Sequence, residues 1–445
     1  MVDLIKTAEE LGGLCNHDKI LFLKTEPEIT NFTRPFDGNL LIYGGKRRLT
    51  VKFPPRIEDT INIYNQLRDS VFAEGMTTIF WNVKNLISFL KFRCPKMTPL
   101  GSKVIDLNLV EAFLGVKQGA PASLGETLHR LSPYVNSEEA KTIHNKIHKP
   151  LALQVIPCME TYQGVIDTEM NKYVYPSYEI EGQTFGRLNC HKEFENCITP
   201  HSIGDERKEV LRLSGEKDFF IHFDFKHMEV SMLQWLTGDE TLKKAMGMGT
   251  DLYRGIYQVV FGEPCDTDTK REVIKNLFLP IMFGQTPHGL EKEYGVSSHA
   301  ANQIHWLIKE RFPTAWKYME DHYEGVKSAP TTKDYFGRIR SFAEKPLSVR
   351  GFMVQAASAV FCQEKLIELH NSISGYGNLL YSIHDGYVLV ANQENLNRVV
   401  VSGLKALQSE SKMCNGLSIK VACSIGVRLS HLKQIPTSKE RNGNG

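Results

Sequence analysis

Apolar positions along this chain recur either at every second residue or at every third and fourth, and the switches between the two spacings mark out its elements. Residues 38–53 (GNLLIYGGKRRLTVKF) hold two β-rich runs on either side of Gly44-Gly45, which predicts a hairpin. A helix over about 57–74, a short strand over 77–81 and a second helix to about 92 follow. Strand and helix return over 104–114, so the first third predicts a small α/β unit. Residues 115–180 are polar and predict mostly helix, with turn signals at Pro121 and Pro150. Residues 218–226 predict a strand that is apolar inside except for His222, carries Asp224 near its end and runs straight into a helix. The spacing over 268–330 is strongly helical, and 349–371 predicts one long helix. LLYSIHDGYVLVA (379–391) reads as two strands around a tight polar turn, and LSIKVACSIG (417–426) as a last strand. No repeat is present, and residues 436–445 form a polar tail rich in Gly and Asn.

Composition adds little beyond class. The 445 residues are 42% hydrophobic and 23% charged, which suits a soluble globular chain of two to four domains. A net charge of +2 is too small to demand a nucleic-acid partner, although basic side chains can still gather in one cleft. The nine cysteines contain no C-x-x-C pair, as expected of thiols in a reducing compartment. The start, MVDLIKTAEELGG, carries early acids and lacks a long apolar core, so no signal peptide is expected. No apolar run is long enough to span a bilayer. A cytoplasmic protein without membrane contact is expected.

Candidate chemistry begins with two acids. Asp224 closes an apolar strand and Asp385 sits in a tight turn between two others. Phosphoryl transfer by two metal ions needs carboxylates on rigid elements, because each hard cation takes oxygen ligands and the two ions stand roughly 4 Å apart. Either acid alone is as readily a turn former or a helix cap. Arg271, Lys275, Leu279 and Phe283 recur at intervals of four and share one helix face, ahead of Gly284. Such a row can hold a triphosphate at its basic end and a base at its apolar end, or simply be an amphipathic helix. Thr184-Phe185-Gly186-Arg187-Leu188 is a turn with Arg after Gly, and Gln355 lies early in the long helix. Each of these two is weak alone.

Their order is specific. T-x-G-R-L, a strand Asp followed by a helix with an inward Glu, R-x-x-x-K-x-x-x-L-x-x-x-F-G, a helix bearing Gln, and His-Asp in a hairpin succeed one another. The series resembles the family-A DNA polymerases of bacteria and phages. DFKHMEVSMLQWLTGDETL (224–242) resembles their first palm motif, REVIKNLFLPIMFGQTPHGL (271–290) their fingers helix and YSIHDGYVLV (381–390) their second palm motif. The resemblance covers roughly residues 180–430. It implies an α+β multidomain, right-hand fold with an antiparallel palm sheet, helical fingers and a short helical thumb, preceded by a ribonuclease-H-like α/β domain. The implied boundaries are 1–115 for a degenerate 3′–5′ exonuclease-like domain, 116–180 for the thumb, 181–245 and 331–435 for the palm, and 246–330 for the fingers.

The resemblance further implies that Asp224, Asp385 and the Phe225 backbone carbonyl bind two Mg²⁺ ions, which Mn²⁺ can replace. Arg271 and Lys275 would grip the incoming dNTP, with Lys275 as proton donor to the leaving group, and His227 and Tyr253 would belong to the same site. Leu279 would pack on the nucleotide, while Phe283 and Gly284 would border the templating base. Glu229 would exclude a ribose 2′-hydroxyl. Arg187 and Gln355 would read minor-groove acceptors of the primer end, with Thr184 and His384 nearby. Primer-template DNA and dNTPs are the implied partners, and the short thumb points to a processivity or replisome protein.

Four positions depart from the family pattern. Gly386 replaces a third carboxylate, Leu279 an aromatic, Phe283 the tyrosine that bonds the gate glutamate, and Ser231 a common Arg. The gate is therefore expected to be steric only, with a partly relaxed preference for dNTP over NTP. In the first third, TTIFWNVKNLISFL and VIDLNLVEAFLG resemble worn exonuclease segments. Asn82 and Asp106 fit that pattern, Leu86 stands where a metal-binding Asp belongs, Asp37 with Asn39 is only an echo, and no D-x-E strand is present. No proofreading is expected. Two other readings fit part of the pattern: a single-subunit RNA polymerase-like enzyme, which Glu229 opposes, and a non-catalytic DNA-binding replisome protein, which the retained aspartates, Arg271 and Lys275 oppose.

Overall fold

The computed structural model describes residues 203–248 and 251–435 continuously. Before residue 203 it describes separate strands, one helix, a few short stretches and scattered single residues. Thr184, Phe185, Asp37, Asn82 and the 436–445 tail lie outside the described residues.

The first third contains strands β1 (Ile20–Glu26), β2 (Asn39–Gly44), β3 (Arg47–Lys52), β4 (Thr77–Phe80) and β5 (Lys103–Asp106), followed by helix α1 (Leu107–Phe113). They form one sheet in the order β3-β2-β1-β4-β5. β1, β2 and β3 pair antiparallel, whereas β4 and β5 run parallel to β1. This mixed sheet is the α/β unit that the alternating spacing predicts. Asp106 is buried and accepts from the Leu109 amide at 3.4 Å, so it caps α1. Leu86 is wholly buried.

The predicted helical character of 115–180 fails at its end. β6 (Val165–Asp167) and β7 (Lys172–Pro176) form an antiparallel hairpin. Asn171 supplies the left-handed turn at φ 49°, and Asp167 accepts from the Glu169 and Met170 amides. That local turn chemistry outweighs the polar composition. Tyr178, just beyond, ties this region to Ser382, far along the chain: its hydroxyl donates to the Ser382 carbonyl and accepts from the Ser382 amide.

Strand β8 (Asp218–Phe225) leads into α2 (Met228–Thr237), α3 (Glu240–Gly247), α4 (Leu252–Phe261) and α5 (Asp268–Met282). α6 (Pro287–Tyr294), α7 (Ser298–Arg311) and α8 (Pro313–Ser328) complete the helical region. Most starts carry a side-chain cap: Asp239, Asp251, Thr267, Thr286 and Ser297 each accept from an amide of the first turn. Buried Asp239 also accepts from Ala315, joining the starts of α3 and α8.

A small hairpin of β9 (Thr331–Lys333) and β10 (Ile339–Ser341) precedes the long helix α9 (Val349–Ile373). β11 (Asn378–Ile383), β12 (Gly386–Asn392), α10 (Leu396–Leu407), β13 (Val421–Gly426) and β14 (Lys433–Gln434) follow. The second sheet is antiparallel throughout, in the order β11-β12-β8-β13-β14, so β8 lies at its centre. α9 and α10 pack together, and α10 lies against β8, β12 and β13. Among the described residues, no helix is long and apolar enough to cross a membrane.

Candidate active site

The two-residue period of β8 decides which side chains face outward. Ile221, Phe223 and Phe225 are buried under the helices. His222 and Asp224 project from the opposite face and remain accessible. Asp224 pairs with Gly386 on β12 and with Ala422 on β13. Asp385 immediately precedes Gly386, so the register sets the two aspartates side by side. The Phe225 amide donates to the Asp385 carbonyl at 3.1 Å, and His384 holds the turn with φ 45°.

Neither acid ionises freely in this setting. Burial pushes the Asp385 carboxyl up; Arg187 and His384 pull it back, while Glu229 and Asp224 push it further up. Asp224 is open to the cleft, yet the protein around it still removes enough water to raise its carboxyl against the pull of His384. Two carboxylates so placed favour a cation between them. Among the described residues, no group of three or more His, Cys, Asp or Glu is arranged for a metal ion. Mg²⁺ needs none: it takes one or two carboxylates and completes its shell with water and phosphate oxygens. The paired acids and nearby backbone oxygens are hard donors, and they fit that ion.

Above the acids opens a cleft of about 490 Å³, with Asp224, Asp385, Glu229, Arg271, Lys275 and Leu279 on its walls. Arg271 Nε donates to Asp251 Oδ2 at 2.8 Å and its Nη1 to Glu272 Oε1 at 2.6 Å. Asp251 also caps α4 through Arg254 N at 3.0 Å. Burial would raise the Asp251 carboxyl, but the Arg271 and Arg254 hydrogen bonds outweigh it and hold it low. Lys275 Nζ lies 3.3 Å from Glu272 Oε2 and is half exposed. The His227 and Tyr253 rings meet edge to face at 5.2 Å, and the Arg271 guanidinium lies 5.8 Å from the Tyr253 ring. Burial lowers the His227 imidazole and raises the Tyr253 phenol, the latter aided by Glu229.

Phe283 offers Glu229 no hydroxyl, yet Glu229 is held by other partners. Its Oε1 accepts from Arg187 Nη2 at 2.9 Å and from Gln355 Nε2 at 3.2 Å. Arg187 Nη2 also stands 3.8 Å from Asp385 Oδ1. Behind Arg187, Gly186 adopts φ 73°, and its carbonyl accepts from Gln363 at 2.9 Å. A second cavity of about 320 Å³ lies on that side, bordered by Arg187, His384 and Asp385. Phe283 and Gly284 are not among the cleft residues. α5 ends at Met282, so Phe283 is its C-cap, and its ring lies 3.9 Å from where a Cβ on Gly351 would be. Gly284, at φ 95°, packs on Leu347.

The family model for DNA polymerase family A matches residues 119–431. The chain belongs to that family. DNA polymerase I of Chloroflexus aurantiacus is 23% identical over 240 residues, covering 50% of this chain and 25% of that protein. The DNA polymerase of Bacillus phage SP01 is 20% identical over 267 residues, covering 55% of this chain and 28% of that protein. The match to these curated relatives thus spans about a quarter of their length. The POL domain of Pol1 from M. smegmatis, in complex with DNA primer-template and dNTP, superposes with a TM-score of 0.71 at 12% identity, covering 96% of this chain and 98% of that one. That likeness shows the right-hand polymerase fold.

Within this family A frame, sequence reasoning missed two charged cleft residues. Asp251 was visible only as an Asp ahead of a helical run, the ordinary mark of an N-cap. Lys226 follows the palm strand, donates its amide to Lys420 at 2.8 Å and lines the cleft. The ties of Glu229 to Arg187 and Gln355 cross 42 and 126 residues of sequence, and no local pattern announces them.

Proposed function

We propose that this family A chain is a template-directed DNA polymerase that extends a primer 3′-hydroxyl with dNTPs. The observation that carries the reading is the Asp224–Asp385 pair at the foot of a cleft whose wall presents Arg271 and Lys275. The relatives' names and the primer-template and dNTP in the similar POL-domain complex support it.

Asp224, Asp385 and the Phe225 carbonyl would hold two Mg²⁺ ions, or Mn²⁺ in their place. When bound, such ions sharpen the 3′-hydroxyl as a nucleophile and offset charge on the leaving pyrophosphate. Arg271 and Lys275 now rest on Asp251 and Glu272, whose carboxylates occupy the donors that phosphate oxygens would take. Lys275 then stands ready to give its proton to pyrophosphate. The His227–Tyr253 pair borders the triphosphate, Leu279 packs beneath the nucleotide, and Glu229 closes the space a 2′-hydroxyl would need. Arg187, Gln355, His384 and Thr184 serve the primer end, with Phe283 and Gly284 beside the templating base.

The remaining assignments follow the same reading. Residues 1–115 form an exonuclease-like domain without nuclease activity, since Leu86 fills a wholly buried apolar position where a metal-binding acid would be needed. Residues 116–180 act as a short thumb, 181–245 and 331–435 as palm, and 246–330 as fingers. Fewer thumb contacts with phosphates favour rapid dissociation, which a processivity partner would offset. The protein works in the cytoplasm. Extension of a labelled primer-template with dNTPs, but not with NTPs or without nucleotide, tests the reading. Extension with NTPs alone would favour an RNA polymerase-like enzyme, and DNA binding without extension a replisome scaffold.

A further inference from the structure

Glu229 sits on the first turn of α2, and a single oxygen of it takes two donors from distant parts of the chain. Arg187 Nη2 reaches it at 2.9 Å from the loop after Gly186, and Gln355 Nε2 at 3.2 Å from α9. The same Arg187 nitrogen stands 3.8 Å from Asp385 Oδ1, so one network joins the acid pair to the cleft wall. Phe283 has no hydroxyl with which to join it and packs at Gly351, one turn before Gln355. The network also lies between two spaces: Glu229 borders the 490 Å³ cleft, while Arg187 borders the 320 Å³ cavity on the other side, which shares Asp385 with it.

A glutamate with three free torsions excludes a neighbouring hydroxyl only as well as it is held. Charge-assisted hydrogen bonds supply that hold. A guanidinium has five N–H donors, so Arg187 can keep Nη2 on Glu229 while its other groups reach acceptors in the second space. Gln355 likewise has a second amide hydrogen and a carbonyl oxygen.

We propose that Arg187 and Gln355 are positioning residues for Glu229 and that they couple exclusion of the ribose 2′-hydroxyl to correct pairing at the primer end. The inference rests on the polymerase reading above. A paired end presents its minor-groove acceptors where both residues can serve them without releasing Glu229. A mispaired end moves those acceptors, draws the donors away and lets Glu229 swing. Ribonucleotide exclusion then weakens at the very ends that are wrongly paired.

Single-nucleotide incorporation by the full chain tests this, read as the ratio of kcat/KM for a dNTP to that for the matching NTP. The variants are Gln355→Ala, Glu229→Ala and the pair together, each on a matched and a mismatched primer end. Loss of one hydrogen bond predicts that Gln355→Ala lowers the ratio about three- to tenfold. Glu229→Ala lowers it further, and the double variant lowers it no further than Glu229→Ala, because Gln355 acts through Glu229. On a mismatched end the unmutated chain's ratio drops toward that of Glu229→Ala, whose own ratio is the same on both ends. Equal losses of dNTP and NTP use in Gln355→Ala would overturn the inference, since a merely structural role predicts them. So would additive effects in the double variant, an unchanged ratio in Glu229→Ala, or one ratio on both ends for the unmutated chain. No extension at all by the unmutated chain would instead overturn the polymerase reading, and this inference with it.

Discussion

Gly386 is glycine because its neighbours leave no room for a side chain. A Cβ there would stand 2.7 Å from the Phe223 carbonyl oxygen and 3.0 Å from His222 Nε2. The residue beside the His384-Asp385 turn is thus tied to a histidine two residues before Asp224. We expect Gly386→Ala to destabilise the palm by about 1–3 kcal/mol, the usual cost of overpacking, in chemical denaturation. Gly386→Glu, which restores the family's third carboxylate, is expected to lower primer extension rather than raise it. Asp385 gives a second prediction. Its carboxyl is raised, so without metal its ionised form weakens the fold above that raised pKa, and the penalty vanishes once acid protonates it. Asp385→Asn should therefore melt higher than the unmutated chain at pH 7 in EDTA, with the gap closing as pH falls toward the carboxylate range. A lower melting temperature at pH 7 would contradict it. Phe283→Tyr adds a hydroxyl at the α5 cap, yet Glu229 already has two anchors. It should change the dNTP-to-NTP ratio less than Gln355→Ala does.

Between elements, α8 and α9 share a buried cation. Arg350, in the first turn of α9, is almost wholly buried and pairs with Glu320 of α8. Its guanidinium lies 5.4 Å from the Trp316 ring and 5.2 Å from that of Tyr323, both on α8. Arg350→Met should cost about 1–2 kcal/mol, through lost cation–π contact with Trp316 and Tyr323 rather than through Glu320, which solvent reaches, and a urea titration of the full chain would measure it. Such joints set the limit of what the sequence disclosed. β8, the β11–β12 hairpin and α9 were legible because each carries its own period and turn residues. The β6–β7 hairpin was missed because β6 is only three residues long, with two apolar residues, too few to register as alternation. The order of motifs singled out Asp224, Asp385, Arg271 and Lys275, which the fold gathers along one cleft. It could not reveal that Arg271 rests on Asp251 or that Glu229 has anchors, since those contacts exist only once separate elements have packed.

At the scale of the molecule, a mixed sheet and a polymerase palm share one chain, and at Leu86, in the first third, a wholly buried leucine stands where the exonuclease pattern needs a metal-binding acid. Phosphodiester hydrolysis by two metals needs such acids. We therefore expect no shortening of a mismatched primer end in Mg²⁺ or Mn²⁺ without dNTPs, read on a sequencing gel. The central claim is that Asp224 and Asp385 perform the transfer while the rest of the chain holds DNA and nucleotide. Primer extension and primer-template affinity, measured together for the unmutated chain and Asp224→Ala, test it most directly. The account predicts extension lowered roughly a thousandfold or more, the value of several kcal/mol at the transition state, with affinity for DNA nearly unchanged. Extension that survives Asp224→Ala in a folded protein would contradict it.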